Sequence, residues 1–273
     1  MRVVRVAALV ALVVIGCGSF GSADDAKGDA SAQAPVDGGA STDGGVVQPD
    51  GGAGAGFCAS RSGFAFCDDF DTRAPLGDGW PTQTVNGGGT SELDQSTNTS
   101  APSSIRFQVP KSNKNGTFAF WSRRVDRSAW PSSRLELSLY LRPQNWTGST
   151  NAAIASIRYS DGSDQPAFDA YVVIAEGYSG IAVSVDNAYI DSPKGPVLPV
   201  NTWLSMALEV DPITSNQAPV RLFMNGNKII DAHVTVPDMM RKPSRFYVSI
   251  GPWAINATAA LDINYDDVLF TTK

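Results

Sequence analysis

Residues 64–71 read FAFCDDFD, and a second Asp-Asp pair stands at 266–267. Carboxylates crowded in this way suit two tasks: holding a hard cation through oxygen, or accepting backbone N–H bonds where a strand begins. For a calcium ion, Asp69 or Asp71 with Asp266 or Asp267 are the candidate ligands. Consecutive residues of a strand point to opposite sides, so at most one of each pair reaches a given site. Cys67 sits in the same stretch, but a nucleophilic thiol needs a neighbouring base. The chain has one histidine, His233, placed in a polar gap between apolar runs. No Ser-His-Asp order, metal-spaced histidine cluster or phosphate-binding loop stands out, and the glycines at 87–89 lack the lysine and helix that such a loop requires.

The first 16 residues are MRVVRVAALVALVVIG, with Arg2 and Arg5 before the apolar run Val6–Ile15. A bilayer span needs about 20 apolar residues, so this run reads as an export signal. Val14-Ile15-Gly16-Cys17 resembles a bacterial lipobox, which makes Cys17 the expected acylation site and membrane lipid the expected partner of the N-terminus. Residues 17–56 follow as a tether. Its stretch 18–56 has eleven glycines, six aspartates and one lysine, too little apolar surface to offset the entropy of ordering it. Most of the formal charge of -6 lies there. The remainder, 57–273, is nearly neutral and has no basic stripe, which argues against nucleic acid as a partner.

Over 57–273 the periodicity is that of strands. RLELSLYLR (134–142) is the clearest, with four leucines on one face and Glu136, Ser138 and Tyr140 on the other. Similar runs occupy 103–109, 117–125, 152–159, 168–175, 180–186, 202–210, 219–226, 227–234, 245–251 and 260–270, and FAFCDDF opens the series. Asn225-Gly226 is a two-residue hairpin signal. PDMMRKP (237–243) is a weak single-turn helix candidate. About a dozen short antiparallel strands require two packed sheets or a barrel. With Cys17 assigned to lipid, Cys58 and Cys67 are left as a disulfide pair.

The segment NTWLSMALEVDPITSNQAPVRLFMNGNKII (201–230), the closing ALDINYDDVLF and the opening FAFCDDFD with Trp80 downstream resemble laminin-G-type and concanavalin A-like domains. The likeness spans 64–270 and points to a bacterial, myxobacterial-like surface lipoprotein. It implies an all-β jelly roll of two antiparallel sheets, a core position for Trp203, and a structural calcium near joined termini. Such folds include glycoside hydrolases and polysaccharide lyases. The glucanase pattern Glu-x-Asp-x-x-Glu is missing, and the four glutamates Glu92, Glu136, Glu176 and Glu209 offer no substitute for it. A lyase would use a tyrosine or histidine with an arginine, for which Arg158 with Tyr159 or Tyr171, and Tyr140 nearby, are candidates. The leading expectation is instead a non-catalytic, surface-anchored module that binds carbohydrate or a cell-surface protein, at the outer membrane or cell surface. Trp146 and Trp253, beside turn residues, are the expected ligand platforms. A purely structural envelope role is the third reading.

Overall fold

The computed structural model describes residues 56–71, 79–111, 116–126, 134–146, 151–160, 166–185, 188–191, 194–211, 217–235, 245–256 and 259–272. Cys17, nearly all of the tether and the 237–243 segment lie outside these residues. Among the described residues every regular element is a strand.

One sheet has eight strands. Its members are β1 (Phe64–Asp68), β3 (Thr90–Asp94), β4 (Ser104–Val109), β6 (Leu135–Asn145), β11 (Leu204–Val210), β12 (Gln217–Met224), β13 (Asn227–Thr235) and β15 (Leu261–Thr272). The order is β13-β12-β11-β6-β15-β4-β3, with β1 also on β15. The other sheet has seven strands in the order β10-β9-β8-β7-β14-β5-β2. These are β2 (Thr82–Asn86), β5 (Thr117–Asp126), β7 (Asn151–Ser160), β8 (Pro166–Ala175), β9 (Tyr178–Val185), β10 (Ala188–Asp191) and β14 (Arg245–Asn256). All pairings are antiparallel.

The core lies between the sheets and follows directly from the alternation. Leu135, Leu137, Leu139 and Leu141 of β6 are buried, as are Ile154, Ile157 and Tyr159 of β7 and Phe246, Val248 and Ile250 of β14. Trp121 and Tyr265 meet across Phe107 with edge-to-face rings. Asn225 and Gly226 both take positive φ, 50° and 75°, as the hairpin between β12 and β13 demands. Trp203 precedes β11 and is only half-buried, outside the inward-facing alternation that begins at Leu204. Strands β2, β3 and β10 were not apparent from periodicity, because TQTVN and TSELD are polar edge segments and AYID is only four residues long.

Long β15 carries three neighbours. β6 lines one edge, while β4 and β1 share the other end to end: Tyr265 pairs with Ile105 and Val268 with Asp68. The strand bulges between them, where Asp267 has φ 50°. The 97–103 connection fills this junction, and its donors meet the aspartates there. Asp266 accepts from the Thr99 amide at 2.7 Å and the Ser100 amide at 3.1 Å, and Asp267 accepts from Ser100 Oγ at 2.8 Å.

A candidate site on the outer face of the seven-stranded sheet

The FAFCDDFD aspartates stand at the end of β1 and just beyond it, not at the strand start expected from sequence. Asp68 accepts from Trp80 Nε1 at 2.8 Å and from the Phe70 amide, Asp69 from the Cys58 amide at 3.0 Å, and Asp71 from the Ser103 amide at 3.4 Å. Cys58 and Cys67 form a disulfide with Cα atoms 5.6 Å apart. Burial, then the Asp267 charge, pushes Asp266 up to about 7; burial and the surrounding aspartates push Asp71 up to about 6. Asp69, Asp71, Asp266 and Asp267 thus gather around one junction, each already accepting protein hydrogen bonds.

The register of the seven-stranded sheet assembles a different cluster. Arg158 of β7 lies opposite Asp169 of β8 on one side and Tyr247 of β14 on the other, and Tyr247 lies opposite Arg124 of β5. Two residues along, Tyr171, Ser156, Ser249, Ser122 and Thr82 stand in line across five strands. Trp253, Phe118 and Phe120 follow. These residues all point away from the core, because their neighbours Ile157, Ala170, Val248 and Trp121 point into it. The face therefore presents a charged row, a hydroxyl row and an aromatic row.

At the charged end, Arg158 Nε donates to Asp169 Oδ1 at 2.7 Å and Tyr171 Oη donates to Asp169 Oδ2 at 2.8 Å. Asp169 is 2 % exposed. Burial raises its pKa, opposed by the Arg158 charge and by both hydrogen bonds. Burial works against the Arg158 charge, but Asp169 and Tyr171 outweigh it and hold the guanidinium above its ordinary value. Ser249 and Ser122 are within 3.1 Å through their Oγ atoms. Trp253 stacks with Phe120 at 6.1 Å and 29°, and meets Tyr171 edge-on at 6.4 Å. That meeting spans β7, where Ala153 and Ala155 leave the space open. Gly251 is needed on the same face: a β-carbon there would lie 2.5 Å from the Ala119 carbonyl oxygen. The result is a shallow depression of about 20 Å³ lined by Phe120, Ser156, Arg158, Tyr171, Ser249 and Trp253.

A larger cleft of about 340 Å³ lies on the outer face of the eight-stranded sheet, with Tyr140, Glu136, Glu209, Phe57, Arg61 and Phe223 in its lining. Glu136 and Glu209 are direct cross-strand neighbours. Glu209 Oε2 is already occupied by Arg134 at 3.4 Å and Arg221 at 3.5 Å. Chemistry, not volume, separates the two faces. Both faces hold an arginine, a buried carboxylate, a tyrosine and aromatic rings, but on the shallow face a single carboxylate, Asp169, accepts from both the arginine and the tyrosine hydroxyl.

Arg158, Tyr171 and Trp253 are thus brought together, and Tyr140 is set apart on the other sheet. Tyr159 is 5 % exposed and faces the core, which removes it as a partner for Arg158. Trp146 packs against the core beneath Gly177, where any β-carbon would overlap its indole, so it plugs the end of the sandwich. Asp169, Tyr247, Ser249 and Ser122 escaped sequence reading. Each sits correctly on the polar face of a recognised strand, but only the register shows that these strands are neighbours.

No family model matches this chain, and no curated protein matches it. Among solved structures it is similar to an endo-beta-1,4-glucuronan lyase from the fungus Trichoderma reesei, with 13% identity, a TM-score of 0.60, and coverage of 77% of this chain and 96% of that one. It is also similar to the cellulose induced protein Cip1, with 16% identity, a TM-score of 0.57, and coverage of 76% and 97%. An alginate lyase, vAL-1 from a Chlorella virus, has 9% identity, a TM-score of 0.50, and coverage of 71% and 93%. These similarities establish the fold: an all-β jelly roll of two antiparallel sheets, matching the concanavalin A-like lectin/glucanase architecture. They also correct the leading expectation of a non-catalytic module, since named lyases recur among the structures that share the fold.

Proposed function

We propose that this protein is a polysaccharide lyase acting on a uronate-containing chain laid over the outer face of the seven-stranded sheet. The observation that carries this reading is the Arg158–Asp169–Tyr171 cluster beside Trp253. The activity named for the Trichoderma reesei structure, cleavage of a β-1,4-glucuronan by a lyase, supports it.

In the elimination, a uronate ring sits on the hydroxyl row with its carboxylate at Arg158. The guanidinium neutralises the carboxylate and makes the C5 proton acidic. Tyr171 oxygen takes that proton while its own hydroxyl proton moves onto Asp169 Oδ2. A carboxyl whose pKa is raised by burial suits this receipt. The C5–H electron pair forms the C4–C5 double bond as the C4–O4 bond breaks. Asp169 returns its proton to the Tyr171 oxygen, which protonates the leaving O4. Atoms and protons balance, with no outside reactant. Hydrolysis is less well served, because the paired glutamates lie on the other face with Glu209 bound by two arginines.

The test is incubation of the full-length protein with uronate-containing β-1,4-linked chains, both polyglucuronate and glucuronate alternating with glucose, while the ultraviolet absorbance of the new double bond is followed. Absorbance that rises with wild type and disappears in Tyr171→Phe and Arg158→Ala is the expected result. New reducing ends without absorbance would indicate hydrolysis and overturn the reading, as would no cleavage at all.

We further propose that the domain works at the cell envelope, tethered through acylated Cys17. The charged apolar leader and Val14-Ile15-Gly16-Cys17 support this placement, and a polymer-degrading domain on a long tether can sweep substrate near the surface.

A further inference from the structure

We infer that the chain recognised on this face alternates uronates with neutral sugars, as opposed to an unbroken run of uronates; this rests on the lyase reading above. Three features of the face lead there.

The first is the placement of cations. On the described strands of this face the arginines are Arg124 and Arg158, in the charged row, and Arg245, one row further from the hydroxyls, opposite Asp126 and Ser160. The hydroxyl and aromatic rows hold none. The second is spacing. Arg124 and Arg158 flank Tyr247 on strands two apart, which places their backbones about 9.5 Å from each other. That is close to the advance of two β-1,4-linked pyranose rings. The third is the opposite edge, where Trp253, Phe118 and Phe120 form a contiguous apolar lane.

In an extended β-1,4 chain, successive rings are flipped, so their C5 substituents alternate between the two edges. An alternating polymer running across the strands puts every carboxylate on the arginine edge and every neutral hydroxymethyl group on the aromatic edge. A homopolymer cannot do this: every second carboxylate would face Trp253 or Phe118, losing water without gaining a cation. The hydroxyl row between them, Tyr171 through Thr82, runs in the same direction as such a chain and offers donors and acceptors to each ring in turn.

Titration calorimetry tests this on the full-length Tyr171→Phe protein with three β-1,4-linked tetrasaccharides: all glucuronate, glucuronate alternating with glucose, and cellotetraose. The alternating ligand should bind about tenfold or more tightly than the all-uronate one, because the latter must desolvate unpaired carboxylates. Arg124→Gln, an exposed position, should reduce that preference, and Trp253→Ala should weaken the alternating ligand and cellotetraose together. Equal or tighter binding of the all-uronate ligand overturns the inference. So does cellotetraose binding as tightly as the alternating ligand, or a preference untouched by Arg124→Gln. Wild-type turnover separates this from the lyase reading. A binding preference without double-bond absorbance sinks the reaction and keeps the ligand, whereas absorbance with no preference does the reverse.

Discussion

Tyr171 and Arg158 donate to opposite oxygens of one carboxylate, Asp169, at 2.8 and 2.7 Å. Neither group can be altered without leaving the buried acid short of a partner, so stability and chemistry are tied together at this point and have to be separated by the choice of variant.

Tyr171→Phe removes one hydroxyl and keeps the ion pair. Turnover should fall by about 10²–10⁴-fold, the usual contribution of a positioned proton donor. Stability should fall by only about 1–3 kcal/mol for the lost hydrogen bond. Asp169→Asn should cost about 3 kcal/mol, the low end for breaking a buried pair, because the Arg158 side chain keeps 32% of its surface in solvent. Denaturant titration beside the absorbance assay checks both numbers. A Tyr171→Phe enzyme with full turnover would remove Tyr171 from the mechanism.

The two tryptophans expected as ligand platforms should behave oppositely. Trp146, packed under Gly177, should cost up to about 3 kcal/mol on replacement by alanine and leave the affinity of the remaining folded protein unchanged. Trp253→Ala should lose saccharide affinity with little change in melting temperature. Exchange of these two outcomes would place the ligand at the end of the sandwich and not on its face.

The aspartate junction gives a pH dependence. Asp71 and Asp266 titrate near 6 and 7 in the fold, against an ordinary 3.8. Between those values the folded state holds more protons than the unfolded one. Their stabilising contribution is therefore complete below about pH 4 and is lost as pH rises through 6 and 7. The melting temperature in chelator should decline from pH 4.5 to 8, and Asp266→Asn should flatten part of that slope. If these carboxylates hold calcium, added calcium should restore the loss chiefly at pH 8. A calcium response absent at every pH would remove the metal from the account.

Reduction of Cys58–Cys67 should lower stability by about 2–3 kcal/mol, the chain-entropy value for a loop this short, without unfolding the domain. The check is a melting curve with and without reductant, matched by thiol labelling. Loss of all secondary structure on reduction would mean that the remaining core is insufficient.

Cys17→Ser should move the protein from the detergent phase to the aqueous phase or trap it as precursor, and the wild-type terminal peptide should carry acyl mass. Identical partitioning of both forms, with no acyl mass, would dismiss the anchor.

Legibility in the sequence divided along a physical line. Alternation is a local property, so twelve strands, the inward leucines of β6 and the Asn225-Gly226 turn could be read directly. The outward direction of Arg158 is less direct, because Tyr159, an equal candidate partner on sequence alone, faces the core. Which strands neighbour one another is not local. Asp169 is flanked by Phe168 and Ala170 and looks like any polar residue in a half-buried strand until β7 is set beside β8. Tyr140, two strands earlier in sequence than Tyr171, has the same alternation and lands on the opposite sheet. Polar edge strands such as β2 are short of apolar residues because only one side of them is covered.

The pairing of Phe64 with Thr271 and of Asp68 with Val268 also constrains how the chain comes into being. Among the described residues β1 has no partner strand until β15 has been synthesised, and β4 and β6 await the same strand. Contacts of such long sequence separation form slowly. The eight-stranded sheet therefore cannot close until β15 emerges, although β7-β8-β9 and β11-β12-β13 can pair before it. A chain truncated before β15 loses the shared edge on which three strands depend, and should be cleared by proteolysis instead of persisting as a partial fold.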